Sequence, residues 1–270
     1  MIITIVEFEA IKKAKPGDEF QLKVDFGQRE VKVKREVHQA VIEGGITLDL
    51  SQKLKAKFCY LLEAQEVTKV SFFSEETNRF YKLLPTGDWP TVTIGSVPMH
   101  RLLSAKKDTE AKIEALRPSG IVLDTCMGLG YTAILASKRA HKIITFEKDD
   151  SVFELAQLNP VSQELFSSPK ITIRRGDVSL EIGKEPSAYF DCIIHDPPTF
   201  KLAGELYSGH FYSELFRTLR QGGRLFHYTP RYKVRQGFDF PASVKKRLKK
   251  AGFKVLKYFD SAGGFICKRQ

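Results

Sequence analysis

Four short stretches hold the side chains able to do chemistry. The first is Asp124-Thr125-Cys126-Met127-Gly128-Leu129-Gly130, which follows the apolar run IVL and precedes a helical pattern from Tyr131. Gly128 and Gly130 can take backbone angles closed to other residues and let the chain approach a ligand closely. A helix N-terminus behind them offers free N–H groups. The turn lacks the third glycine of the dinucleotide fingerprint, so alone it is a weak signal shared with tight strand-to-helix turns. The second is Glu147 at the end of KIITFE, 23 positions after Asp124, where an acid can accept hydrogen bonds from ribose hydroxyls. The third is Asp177, in RRGDV after the run ITI. The fourth is His195-Asp196-Pro197-Pro198-Thr199-Phe200, after FDCII. Two prolines hold the chain extended and remove two N–H donors. What is left is rich in acceptors, the Asp196 carboxylate and nearby carbonyls. Such a notch suits an amine that donates hydrogen bonds while its lone pair points at the carbon it attacks.

In this order and at this spacing, DTCMGLG, FEKDD, RRGDV and HDPPTF resemble the successive motifs of class I S-adenosylmethionine-dependent methyltransferases, over about residues 104–267. The resemblance implies a Rossmann-like α/β fold with sheet order 3-2-1-4-5-7-6 and an antiparallel seventh strand. It implies S-adenosylmethionine as cofactor. The glycine-rich turn, with Asp124, Cys126, Gly128 and Gly130, would pack on its methionine portion, Glu147 would bind the ribose and Asp177 would contact the adenine amine, with Lys148 and Val178 also in the cofactor-binding set. Asp196 would border cofactor and substrate alike. HDPPTF resembles the Asp/Asn-Pro-Pro-aromatic signature of methyltransferases acting on exocyclic or amide nitrogen. The aromatic usually follows the second proline directly, whereas here Thr199 intervenes before Phe200. The implied catalytic set is Asp196, Pro197, Pro198 and Phe200, with Asp196 and the Pro197 carbonyl holding the amine and Phe200 stacking on a base.

The elements that must position these residues read as two regions. In residues 1–95, FQLKVDFG and REVKVKREV alternate apolar and polar side chains around a glycine, as a half-buried hairpin does. Gly44-Gly45 marks a further turn before ITLDL, a helix is expected over Ser51–Ala64, and VTKVSFF and NRFYKLL read as strands. This predicts a small β-rich N-terminal region that could position substrate. Residues 96–270 alternate strands with helices, the pattern of a mostly parallel sheet wound on both faces. An irregular link is expected between ITIRR and FDCIIHD. The last two strands, FKVLKYF and GGFICKR, are so close that they must form a hairpin. His195 and His100 read as packed histidines, Cys126 as a small space-filling residue, and Tyr228-Thr229-Pro230 as a candidate substrate mouth.

Charge suggests the partner. The net charge is +11, and Arg217 to Lys257 holds 13 basic residues against the single acid Asp239. A localised basic segment is the footprint expected for a polyanion. With the motif resemblance and a likeness of the whole chain to compact predicted methyltransferases of archaea, it predicts RNA, rRNA or tRNA, as substrate. Cytosine N4 is the first expectation for the methylated atom, adenine N6 or guanine N2 the next. The alternative is an enzyme of the same fold modifying a small amine or a protein amide, aminopropyl transfer included. Polyamine-binding sites need several acids, and around the fourth and fifth strands only Asp191, Asp196, Glu205 and Glu214 are on offer. A third alternative, a non-catalytic RNA-binding protein, conflicts with the complete set of acids. The four cysteines are scattered with no CxxC pair, so neither a metal site nor a disulfide framework is expected. No apolar run approaches membrane-spanning length and no signal peptide is visible, which predicts a cytoplasmic protein.

Overall fold

The computed structural model describes residues 1–100, 104–229 and 239–270. By contacts the chain divides into two compact units, Met1–Lys106 with Ser151–Gln163, and Lys107–Asp150 with Glu164–Gln270.

The first unit is built from small antiparallel sheets. Glu19–Val24, Arg29–Arg35, Gln39–Ile42 and Ile46–Asp49 form a four-stranded meander. Its strands alternate buried and exposed positions, Val31 and Val33 facing in and Lys32 and Lys34 out, because one face is wet. Ser71–Ser74 and Arg79–Leu84 belong to a second four-stranded sheet. One feature departs from the sequence expectations, and one helix had no expectation attached to it. Ser51–Ala64 holds no helix. Its last residues, Tyr60–Glu63, are a strand between Ile2–Ile3 and Glu66–Lys69. Leu54, Phe58 and Leu61 mimic a helical period, but a strand pairing 59 residues away satisfies the backbone instead. Conversely, Ile5–Lys13 is a helix, opened by a capping box in which Glu7 accepts from Thr4 N and Thr4 caps Val6 N.

The second unit carries a seven-stranded mixed sheet, and its elements are numbered here within that unit. The strands are β1 (Ile121–Asp124), β2 (Lys142–Glu147), β3 (Ile171–Arg175), β4 (Phe190–His195), β5 (Leu219–Tyr228), β6 (Phe253–Phe259) and β7 (Gly264–Arg269). Across the sheet they lie in the order 3-2-1-4-5-7-6. Strands 1 to 5 run parallel, and β7 is antiparallel to both neighbours. The central strands are near-continuous apolar runs because both their faces are covered. Val122, Ile143, Ile144, Ile193 and Ile194 are all almost fully buried. The helices named below are α1 (Ala105–Leu116), α2 (Tyr131–Ser137), α3 (Val178–Glu181), α4 (Gly209–Thr218) and α5 (Phe240–Lys250). The short helix α3 stands where an irregular link was expected between β3 and β4. Among the described residues no helix is long and apolar enough to cross a membrane.

Candidate active site

The carboxyl ends of β1, β2 and β4 bring the sequence-predicted acids together. Asp124 ends β1 and is fully buried. Its Oδ2 accepts from Thr145 Oγ1 at 2.7 Å and Thr132 Oγ1 at 3.3 Å, while Oδ1 is buried without a partner among the described residues. An orphaned buried acceptor is costly unless a ligand donor meets it. Desolvation, reinforced by Asp196 and Glu147 nearby, pushes the Asp124 carboxyl up to about 7 against the two threonine bonds. Glu147 ends β2, and its oxygens accept from Gly128 N and Asp149 N, each at 2.9 Å. Desolvation also pushes Glu147 up to about 7. Two carboxyls raised by burial, with further acids nearby (Asp196 and Glu147 acting on Asp124, Asp149 acting on Glu147), mark a place that a cationic ligand would relieve.

The glycine turn shapes that place. Gly130 has φ 78°, and a Cβ there would sit 2.5 Å from Leu165 Cδ2, so the position admits no side chain. Gly128 has φ 54° with nothing within 4 Å of where its Cβ would be, which leaves open space beside Glu147 and Asp124. A bare cradle, an unpartnered acceptor and two carboxyls fit the ammonium, sulfonium and ribose hydroxyls of S-adenosylmethionine in donor type and charge. Cys126 is partly buried beside the turn, its thiol pushed well up by desolvation, so it supplies no thiolate.

Asp177 does a second task. It is the N-cap of α3, with Oδ1 accepting from Ser179 N at 2.9 Å and Ser179 Oγ at 2.7 Å. Its Oδ2 accepts from Lys148 Nζ at 3.0 Å, and the same ammonium reaches Glu205 at 3.0 Å. Val178 opens α3 and is buried in the core.

Around Asp196 the structure adds what the sequence did not announce. Asp196 Oδ2 is in a salt bridge with Lys112 Nζ at 2.6 Å, and Lys112 also binds Asp108 Oδ2 at 2.5 Å, one turn earlier on α1. Lys112 is only 4% exposed, and its ammonium stands 4.8 Å from the centre of the Tyr228 ring. Burial alone would lower its pKa, but Asp196 and Asp108 outweigh burial and hold it above the usual lysine value. The signal was legible, since Ala105, Thr109, Lys112, Ile113 and Leu116 form the buried stripe of α1, with a lysine where an apolar residue is expected. Asp196 Oδ1 has no protein partner among the described residues, and the side chain is 20% exposed.

The rest of HDPPTF is anchored from behind. His195 Nε2 lies 3.0 Å from Leu206 O, which can only accept, so Nε2 carries the proton and Nδ1 accepts from Thr125 Oγ1 at 2.8 Å. His195 is therefore neutral and structural. Burial drives its pKa down, and it ties the proline loop to the glycine turn. His227, edge-on to it at 4.5 Å, is likewise buried and pushed down to about 3. Pro198 O is occupied by the Tyr207 hydroxyl at 2.9 Å. Phe200 is 51% exposed, its ring 5.7 Å from Tyr207 and 6.2 Å from Phe240. His100 bonds Thr91 within the first unit. Tyr228 faces Lys112 and Thr229 is buried, while Pro230 lies outside the described residues.

Among the described residues, part of the basic segment is engaged within the protein. Arg217 is tied to Glu214 and to Ile182 O and Glu185 O, Arg220 to Asp191, and Arg224 to Arg117 O. Arg231, Lys233 and Arg235 lie outside the described residues. What remains in solvent is the outer face of α5, Lys245, Lys246, Lys249 and Lys250, with Lys254 and Lys257 on β6. Among the described residues no group of three or more His, Cys, Asp or Glu is placed to hold a metal ion.

No protein-family model matches the chain. Two solved structures resemble it at 17% identity. One is a spermidine synthase in complex with the transition-state analogue AdoDATO, with 74% of this chain and 73% of that chain covered at a TM-score of 0.59. The other is spermidine synthase from Thermotoga maritima, with 76% and 75% covered at 0.56. At that identity the likeness is one of fold, and it agrees with the mixed sheet described above. A sequence relative, "Uncharacterized protein MJ1233" of Methanocaldococcus jannaschii, is 42% identical over 263 residues, spanning 93% of this chain and 89% of that protein. The chain therefore belongs to the same family as the Methanocaldococcus jannaschii protein MJ1233.

Proposed function

We propose that the chain is a cytoplasmic S-adenosylmethionine-dependent methyltransferase acting on an exocyclic amine of an RNA base, cytosine N4 first, then adenine N6 or guanine N2. The observation that carries this reading is Asp196. It presents one unshared carboxylate oxygen at the carboxyl end of β4, and it is close enough to Asp124, whose Oδ1 has no partner among the described residues, to perturb it. S-adenosylmethionine, when bound, supplies an electrophilic methyl on a sulfonium and leaves as a neutral thioether. Asp124, Gly128 and Glu147 would hold it, with Asp177 and Lys148 at the adenine end. Asp196 Oδ1 and the Pro197 carbonyl would accept the two N–H bonds of the amine, which aims its lone pair at the methyl. The proton released as the N–C bond forms would leave along the hydrogen bond to Asp196 and on to solvent. Phe200 is exposed enough to stack on a base that has left its helix. Positioning supplies most of the acceleration. The α5 lysines would grip phosphates, and the β-rich N-terminal region would orient the RNA. Four free cysteines, three of them buried, suit a reducing compartment.

The competing reading, aminopropyl transfer or another reaction on a polyamine, draws on the spermidine synthase fold. The acids it needs are engaged. Asp191 is tied to Arg220, Asp196 to Lys112, Glu205 to Lys148 and Glu214 to Arg217. A site whose carboxylates already have cations has little to offer a polycation. Nucleoside mass spectrometry of unmodified RNA incubated with the protein and S-adenosylmethionine tests the assignment. A new N-methylated nucleoside supports it, and transfer only to small amines or to none of the RNA overturns it.

A further inference from the structure

Among the described residues, Lys112 is the one buried lysine, and methyl transfer to an amine held by Asp196 makes no direct use of it. It bonds Asp196 through Oδ2 and not Oδ1, and Asp108, at i−4 on the same helix, fixes it there. The Tyr228 ring covers it, so water competes poorly for its charge.

We propose that Lys112 is a positioning and specificity residue: it clamps Oδ2 of Asp196 so that Oδ1 faces the incoming amine, and its fixed charge admits neutral amines while turning away cationic ones. This rests on the methyl-transfer reading of the site. A neutral NH2 donates to Oδ1 with no charge penalty. An alkylammonium at the same oxygen would meet the Lys112 ammonium across a single carboxylate, and burial of Lys112 keeps solvent from fully screening the repulsion. Only the neutral form keeps the lone pair that attack on a methyl requires, so the filter selects the reactive protonation state. Aromatic exocyclic amines are neutral at physiological pH and polyamines are not. The raised pKa of Lys112 agrees with a permanently charged clamp and argues against a nucleophilic or Schiff-base lysine.

The test uses the full chain and three probes: S-adenosylmethionine, unmodified RNA, and spermidine titrated into the cofactor-loaded protein without RNA. Lys112→Met should leave cofactor affinity and the RNA KM within about threefold and lower kcat by about 30-fold, since a clamp acts on the amine in the transition state. The same variant should gain spermidine affinity by about tenfold or more, because an unpaired carboxylate now faces the cation. Lys112→Arg should restore much of kcat and again exclude spermidine. The double variant Lys112→Met/Asp108→Asn removes one charge of each sign. It serves where the single variant folds poorly, and should show the same two changes. Wild-type kcat in either methionine variant, or unchanged spermidine affinity, overturns the proposal. If the wild-type protein methylates no RNA, the methyl-transfer reading fails, and the spermidine titration still decides whether Lys112 is a charge filter.

Discussion

Lys112 and Asp196 are 84 positions apart in the chain, and their charged atoms are 2.6 Å apart. The pair joins the helix entering the second unit to the loop that leaves β4, and it leaves the carboxylate with one occupied and one open oxygen. Removing one partner of a buried pair strands the other, so effects on folding and on chemistry must be measured separately.

The open oxygen gives the first prediction. Asp196→Ala should abolish methyl transfer while cofactor affinity stays near normal in the folded fraction, by calorimetry. Asp196→Asn should retain partial activity, because the amide oxygen still accepts, although the ion pair with Lys112 is lost. Full turnover by a folded alanine variant would mean the amine is held elsewhere.

Phe200 is a separate test of base contact. With half its surface in solvent, Phe200→Ala should cost little stability, under about 1 kcal/mol. Loss of a stacked base is worth about 1–3 kcal/mol, so RNA turnover should fall by roughly 5- to 150-fold. Phe200→Tyr should be tolerated. Equal loss of thermal stability and activity in Phe200→Ala would make it a packing residue.

Asp124 and Glu147 make the apo protein sensitive to pH. Both carboxyls are raised to about 7, above their unfolded values, so the folded state holds protons that the unfolded state releases. Their contribution is fully present below about pH 4 and is lost as pH rises through 7. Apo stability should therefore fall across that window, by at most about 1.4 kcal/mol per pH unit for each group. Asp124→Asn and Glu147→Gln should each flatten the decline in Tm. Cofactor affinity should run the opposite way, rising from pH 6 to 8 as the carboxylates form. Either variant should weaken it about 10- to 100-fold at pH 8, as expected for a lost charge-assisted hydrogen bond. A cofactor affinity independent of pH would show that neither acid meets the ligand.

The two glycines of the turn should behave differently. Gly130→Ala forces a methyl against Leu165 at a positive φ, and should cost about 2–4 kcal/mol by chemical denaturation. Leu165→Ala in the same chain should relieve part of that loss. Gly128→Ala meets no atom and should cost only about 1 kcal/mol, yet it places a methyl in the cofactor cradle and should weaken binding.

The exposed face of α5 is where polyanion affinity can be tested. Glutamates in place of Lys245, Lys246, Lys249 and Lys250 should weaken RNA binding and flatten its dependence on salt, by filter binding across a salt series. Cofactor affinity should not change. The arginines of β5 are poor choices for this test, because Arg220 and Arg224 are held by Asp191 and by Arg117 O.

Strand by strand, the second unit was legible. Its apolar runs are long because parallel central strands are buried on both sides, and the acids stand where those runs stop. The glycine turn showed because Gly130 has no sterically allowed substitute beside Leu165. Wherever local pattern and final environment agree, one sequence suffices. Elsewhere distant partners decided. Ser51–Ala64 carries a helical rhythm, but Tyr60–Glu63 found backbone partners at Ile2–Ile3. Asp177 sits at the expected strand end, yet its carboxylate also caps a helix that the chain's local pattern did not announce. Three arginines of the basic segment, Arg217, Arg220 and Arg224, spend their charge on carbonyls and acids of the protein itself. Lys112 shows the limit most plainly. A lysine in an apolar helical stripe signals that something unusual is buried. What it meets is Asp196 just past β4 and the Tyr228 ring at the end of β5, and only the folded chain brings that carboxylate within hydrogen-bonding distance.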